Sequence, residues 1–248
     1  MDKAILPMTS TSNSSPSLPP GITHALIDGL DLPDLAGLIR NRHGRQDTGL
    51  YTGQMAVDYE LHMPRLVALD DSVWEWLQPI VESDAQWGIA LRLRPEYLVG
   101  DEAEQLHLLV EHWREWTSII TPESERWLFR FYSPTVIQTF FRYATTPEQA
   151  SLLGPCASIT LIDQQWQLLT LSLETMPDTA MFRPHPIAPL RAGLLQGMHT
   201  ASVQHLLKGF KAHLREHHAV ARAWDEATLD AFTLDGARQA WLNGFQNE

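Results

Sequence analysis

The segment His213-Leu214-Arg215-Glu216-His217 has the H-x-x-E-H spacing of inverted zinc metallopeptidases. In that pattern two histidines one helical turn apart bind zinc and the glutamate acts as base, so a metal-dependent hydrolase is one reading of the chain. Helix geometry argues against it. The apolar stripe Val203, Leu206, Leu207, Phe210 and Leu214 sets the inward face of the helix. With about 100° per residue, His217 falls roughly 40° from the centre of that stripe and His213 roughly 80°, while Glu216 points to about the opposite side. No third ligand is assigned. The competing reading is a set of helix-surface residues near a C-terminus, where histidine also complements the helix dipole. We therefore assign no metal site and no catalytic residue here.

Other chemistry-bearing residues divide in the same way. His107 and His112 are five apart and do not share a helical face, which favours structural roles. Cys156 follows Gly154-Pro155 and is placed near a surface, but a nucleophilic thiol needs a lowered pKa and a partner histidine, and neither is readable. A nucleophile elbow, a P-loop and a dinucleotide-binding glycine pattern are all missing from the sequence. Asp28, Asp31 and Asp34 lie close together, and Asp70-Asp71 sits at a strand end. Strand-end carboxylates can serve as bases or metal ligands in open α/β sheets, but they more often cap the next helix, as Asp71 or Ser72 would. Arg130 lies in the middle of an aromatic run, Trp127 to Tyr132, read as a strand with Arg130 and Tyr132 on one face. A buried guanidinium must be paired. Two readings stay open for it: an ion pair with a strand-end carboxylate such as Asp28, or contact with a partner.

Composition narrows the function classes. The 248 residues carry a formal net charge of −12, which repels phosphate backbones and anionic lipid and so argues against nucleic-acid and membrane-surface roles. A single cysteine allows no internal disulfide, as expected in a reducing compartment. Neither a signal-peptide pattern nor an apolar run long enough to span a membrane is read, so a cytoplasmic location is expected. Nine tryptophans suit a well-packed core, an interaction surface, or both.

The elements that must position these residues follow from patterning. Residues 1–22 form a Ser/Thr/Pro-rich tail, expected to be disordered. Strands are expected at 24–29, 66–69, 87–93, 117–120, 127–132, 157–162 and 166–171, the last two as a hairpin. Between them, helices are expected after Pro33, after Ser72 in a capping box with Glu75, at 102–113 with Leu106, Leu109, Val110 and Trp113 on one stripe, after Ser133-Pro134, and at Thr146-Pro147. Residues 43–60 read as a loop with a short strand. The fold class is α/β, a mixed β-sheet flanked by helices in residues 23–173. A Pro-rich connector spans 174–190, and 191–248 form a small all-helical C-terminal lobe.

The ordered run His24-Ala25-Leu26-Ile27-Asp28-Gly29, Pro64-Arg65-Leu66-Val67, Trp74-Glu75-Trp76-Leu77, Trp87-Gly88-Ile89 and the helix Leu106 to Trp113 leads to Leu128-Phe129-Arg130-Phe131-Tyr132-Ser133-Pro134-Thr135-Val136 and Leu153-Gly154-Pro155. It resembles the type VI secretion effector-chaperone family, an adaptor domain first catalogued as a domain of unknown function. The later helix, Phe210 to His217, resembles that family's C-terminal lobe. The resemblance implies an adaptor that is not an enzyme and needs no cofactor. Its implied partners are a cognate effector, held soluble, and the VgrG spike protein that receives it. It carries over Arg130, Tyr132 and Pro134 as binding residues, with Asp28 as partner. A third reading, a secreted toxin, lacks any catalytic motif to support it.

Overall fold

The computed structural model describes residues 17–30, 32, 35–43, 48–83, 86–173 and 190–242. The tail through residue 16, Asp31, Pro33, Asp34 and the connector prolines Pro177, Pro184, Pro186 and Pro189 lie outside the described residues. Leu18 and Ile22, inside the expected tail, pack against the core. The chain separates into two compact units, one through Leu194 and one from Leu195 onward.

The first unit is built on a six-stranded sheet. Its strands are β1 His24–Ile27, β2 Thr48–Gly49, β3 Arg65–Ala68, β4 Gly88–Leu93, β7 Cys156–Ile162 and β8 Leu168–Ser172, in the order β2-β3-β1-β4-β7-β8. A separate two-stranded ribbon pairs β5 Ser118–Ile120 with β6 Arg126–Leu128. The helices are α1 Leu35–His43, α2 Gly53–Asp58, α3 Asp71–Ser83, α4 Glu102–Glu115, α5 Pro134–Tyr143 and α6 Thr146–Leu153. The sheet flanked by helices matches the expected class, and every described strand pairing in it is antiparallel. Strands β1 and β3 are buried at every position, the pattern of a sheet covered on both faces. Ala25, Ile27, Val67 and Ala90 point to one face and meet Leu35 and Ile39 of α1 and Val73, Trp74, Leu77 and Val81 of α3. The alternate residues Leu26, Leu66, Ile89 and Leu91 are also buried, and α4 and α6 lie against β3 and β7.

Local chemistry explains most boundaries and corrects several expectations. Asp70, not Ser72, caps α3: its Oδ1 accepts the Val73 amide at 2.9 Å. Asp101 and Glu104 close a capping box on α4, and Thr145 and Glu148 close one on α6. Gly154 ends α6 at φ +55°, and the His112 ring sits where a Cβ would be, so only glycine fits. The β7–β8 turn closes on Asp163, whose carboxylate accepts the Gln165 and Gln167 amides. The expected loop at 43–60 contains helix α2, which has no buried residue and therefore no apolar periodicity to read. The expected strand 127–132 ends at Leu128, and Trp127 is half exposed whereas Phe129 and Phe131 are buried.

The second unit is helical. Helix α7, Ala192–His217, is followed by α8, Ala219–Arg222, and α9, Glu226–Leu242. Lys211 reaches Asp230 at 2.6 Å and Arg215 reaches Glu226 at 3.2 Å, tying α7 to α9. Leu229 and Thr233 of α9 are buried. Phe210, expected on the inward stripe, is half exposed. Helix α9 runs unbroken from Glu226 to Leu242.

Candidate functional site

The turn between β6 and α5 brings the sequence-selected residues together. Phe129 donates its amide to Thr117 O at 2.9 Å, the last bond of the ribbon, and Ser133 then donates to Arg130 O at 3.0 Å, turning the chain into α5. Pro134 occupies the first helical turn, where its missing N–H leaves nothing unsatisfied. Ser133 does not cap α5 with its side chain. Its Oγ donates to Gln86 Oε1 at 3.0 Å, and Thr135 Oγ1 donates to the same oxygen at 3.2 Å. Phe131 stacks on Trp113 with ring centres 4.8 Å apart, and Phe129 packs against Trp116 and Phe140. Both aromatics are therefore drawn into the core, and the residue between them is turned outward.

That residue is Arg130. Its Nη2 donates to Asp28 Oδ2 at 2.7 Å, joining the turn to the end of β1 across 102 residues of sequence. Asp28 is buried, and its other oxygen accepts the Leu30 amide at 3.0 Å. The Arg130 side chain is 43% exposed, so it is not the buried guanidinium expected in mid-strand. Its charge lies 5.8 Å from the Tyr132 ring centre. Tyr132 is buried, and its hydroxyl lies 2.7 Å from that of Tyr51. Burial raises both phenols above their usual pKa of 10. Burial alone would lower the Arg130 guanidinium, but its hydrogen bond to the Asp28 carboxylate and that charge raise it. At neutral pH the cluster holds a charged guanidinium and two protonated phenols, so it can donate hydrogen bonds and cannot take up a proton at those groups. Of the four sequence-selected residues, Asp28, Tyr132 and Pro134 are buried and only Arg130 presents a substantial surface.

Sequence reading missed Tyr51 and Gln86. Each pairs across a long sequence gap, 81 residues for Tyr51 and 47 for Gln86, and no local pattern marks such a partner.

The remaining candidates are placed elsewhere. His213 and His217 are both exposed on α7, with ring centres 4.5 Å apart and ring planes tilted by 51°. Glu216 lies 3.7 Å from His217. Among the described residues no group of three or more His, Cys, Asp or Glu side chains is placed to hold a metal ion. Cys156 is fully buried rather than near a surface, and burial pushes its thiol up to about 12. His112 is buried, its Nε2 lying 2.9 Å from Leu152 O. His107 is exposed beside Glu111.

No significant similarity to a curated protein or to a solved structure is found. One family model matches, described as "Domain of unknown function (DUF4123)", over residues 23–151. That span is more than half of the 248 residues and runs from β1 through Asp28, Arg130, Tyr132 and Pro134 into α6. The chain belongs to the DUF4123 family.

Proposed function

We propose that this protein is an adaptor-chaperone of a type VI secretion system, which binds a cognate effector and loads it onto the VgrG spike without catalysis. The family match over residues 23–151 is the observation that carries this reading, because the same ordered motifs underlie the resemblance to the effector-chaperone family. The site chemistry is compatible with it: a rigid scaffold holds Arg130 outward through buried Asp28, Tyr132 and Pro134. In this reading Arg130 contacts a partner and the other three position it. The working location is the cytoplasm, where spike and effector assemble before export. Among the described residues no helix is long and apolar enough to cross a membrane.

The test is co-purification of the full chain with the products of the neighbouring spike and effector genes. Both are expected to be retained, and failure to retain either refutes the reading. A chain ending at Leu173 lacks the helical unit and is expected to lose effector binding. Undiminished binding by that chain would show that the C-terminal helices are not needed to hold the effector.

A further inference from the structure

Resting on the adaptor reading, we infer that the surface formed by Leu30 and the segment Tyr59–Leu61 is the effector-docking face, and that its occupant is an effector segment with apolar anchors flanked by Lys or Arg. Leu30 is 49% exposed, Tyr59 52% and Leu61 50%. Gly29 abuts the backbone of His62 and Met63 so closely that a Cβ there would clash with the Met63 carbonyl, so Leu30, next to Gly29, and Leu61, next to His62, are brought to the same region of the surface. The Tyr59 ring packs edge-on to Tyr51 at 6.4 Å, and Tyr51 bonds Tyr132 beneath Arg130. The preceding helix α2 buries none of its residues, so this stretch adds nothing to the core that would explain its apolar side chains. Leu30, in turn, is held by the hydrogen bond its backbone N–H donates to Asp28 Oδ1.

Charge selects the occupant. Arg130 is already paired with Asp28, whereas Asp58 and Glu60 are exposed on the patch itself. Asp58 is met by the uncharged Gln54 amide, which leaves its charge in place. The rim is thus acidic, on a chain of net charge −12. A second copy would bring the same acidic rim against itself, and a nucleic acid would bring phosphates. A cationic, apolar polypeptide segment satisfies both the exposed side chains and the charge.

The experiment uses the full chain, the effector encoded by the neighbouring gene and the VgrG protein, with affinities measured by calorimetry. Tyr59→Ser combined with Leu61→Ser is expected to weaken effector binding by about tenfold or more, and Glu60→Lys to weaken it and flatten its salt dependence. VgrG binding should be unchanged in both. Val99→Ser is the control, because Val99 is 68% exposed beyond the opposite end of β4 from Leu30. All four positions are exposed, and circular dichroism of each variant confirms the fold. Effector binding by the patch variants equal to wild type overturns the inference and leaves the adaptor reading standing. Loss of VgrG binding alone, or a wild-type dimer that the patch variants dissociate, overturns the assigned occupant. A wild-type chain that binds neither protein refutes the adaptor reading and this inference with it.

Discussion

Two histidines are locked uncharged inside the first unit, and replacing one of them should change how the protein responds to acid. Burial lowers His112 from 6.5 to about 4; the Leu152 carbonyl opposes this and the Arg94 guanidinium reinforces it. His24 is likewise lowered by burial to about 4. Because the folded pKa lies below the unfolded one, the unfolded chain takes up protons first as pH falls. Each histidine's contribution is therefore intact above about 6.5 and is lost progressively between about 6.5 and 4. At about 1.4 kcal/mol per pH unit, the full loss is about 3 kcal/mol per histidine, of which about 2 kcal/mol is gone by pH 5. That is a large share of a total stability of roughly 5–15 kcal/mol. His112→Gln keeps an N–H for Leu152 O and cannot titrate. Urea unfolding followed by tryptophan emission suits the test, since Trp74, Trp76, Trp87, Trp113, Trp116, Trp127 and Trp166 all lie in the first unit. Between pH 7 and pH 5 the wild type should lose about 2 kcal/mol more than His112→Gln, with carboxylate effects cancelling in the difference. An equal loss in the two proteins would show that His112 is not held neutral by burial, and the reasoning fails.

Three other outcomes follow from the same geometry. Tyr51→Phe and Tyr132→Phe should each cost about 1–2 kcal/mol in denaturant unfolding, and the double variant less than their sum, because each single change leaves a buried hydroxyl without its partner. Asp28→Ala should cost about 2 kcal/mol by the same assay, and Arg130→Ala about 1 kcal/mol, since Asp28 is buried and also accepts the Leu30 amide while Arg130 is partly solvated. Cys156 should resist a thiol reagent in the native protein at pH 8 and react fully in denaturant; rapid native labelling would contradict its burial and raised pKa.

The elements that sequence reading placed well are those whose burial follows a local period. The stripe Leu106, Leu109, Val110 and Trp113 is the inward face of α4, and the hairpin at 157–171 forms as β7–β8. His112 was read as structural, but its place inside was not, because that period counts apolar residues and not a histidine hydrogen-bonded in the core. The segment Trp127–Tyr132 reads as a strand by alternation, yet Phe129 and Phe131 are drawn to Trp116 and Trp113, and the chain turns over Arg130–Ser133. Tertiary packing overrides local preference there. The Asp28–Arg130 pair was legible as one of two readings, because a guanidinium among aromatics needs a carboxylate and few lie at strand ends. The exposed patch at Leu30, Tyr59 and Leu61 was not, since exposure of a leucine or tyrosine has no signature in sequence.

Strand β1 sits between β3 and β4 and is hydrogen-bonded to both. It precedes them in the chain, so during synthesis its four apolar-rich residues leave the ribosome with both edges open. The last of its two neighbours begins at Gly88, roughly 60 residues later, a wait of about 3–12 s at 5–20 residues per second. Throughout that interval the nascent segment is a free template for pairing with other chains. The most protected strand of the finished sheet is thus the one most open to mispairing early in the chain's own translation.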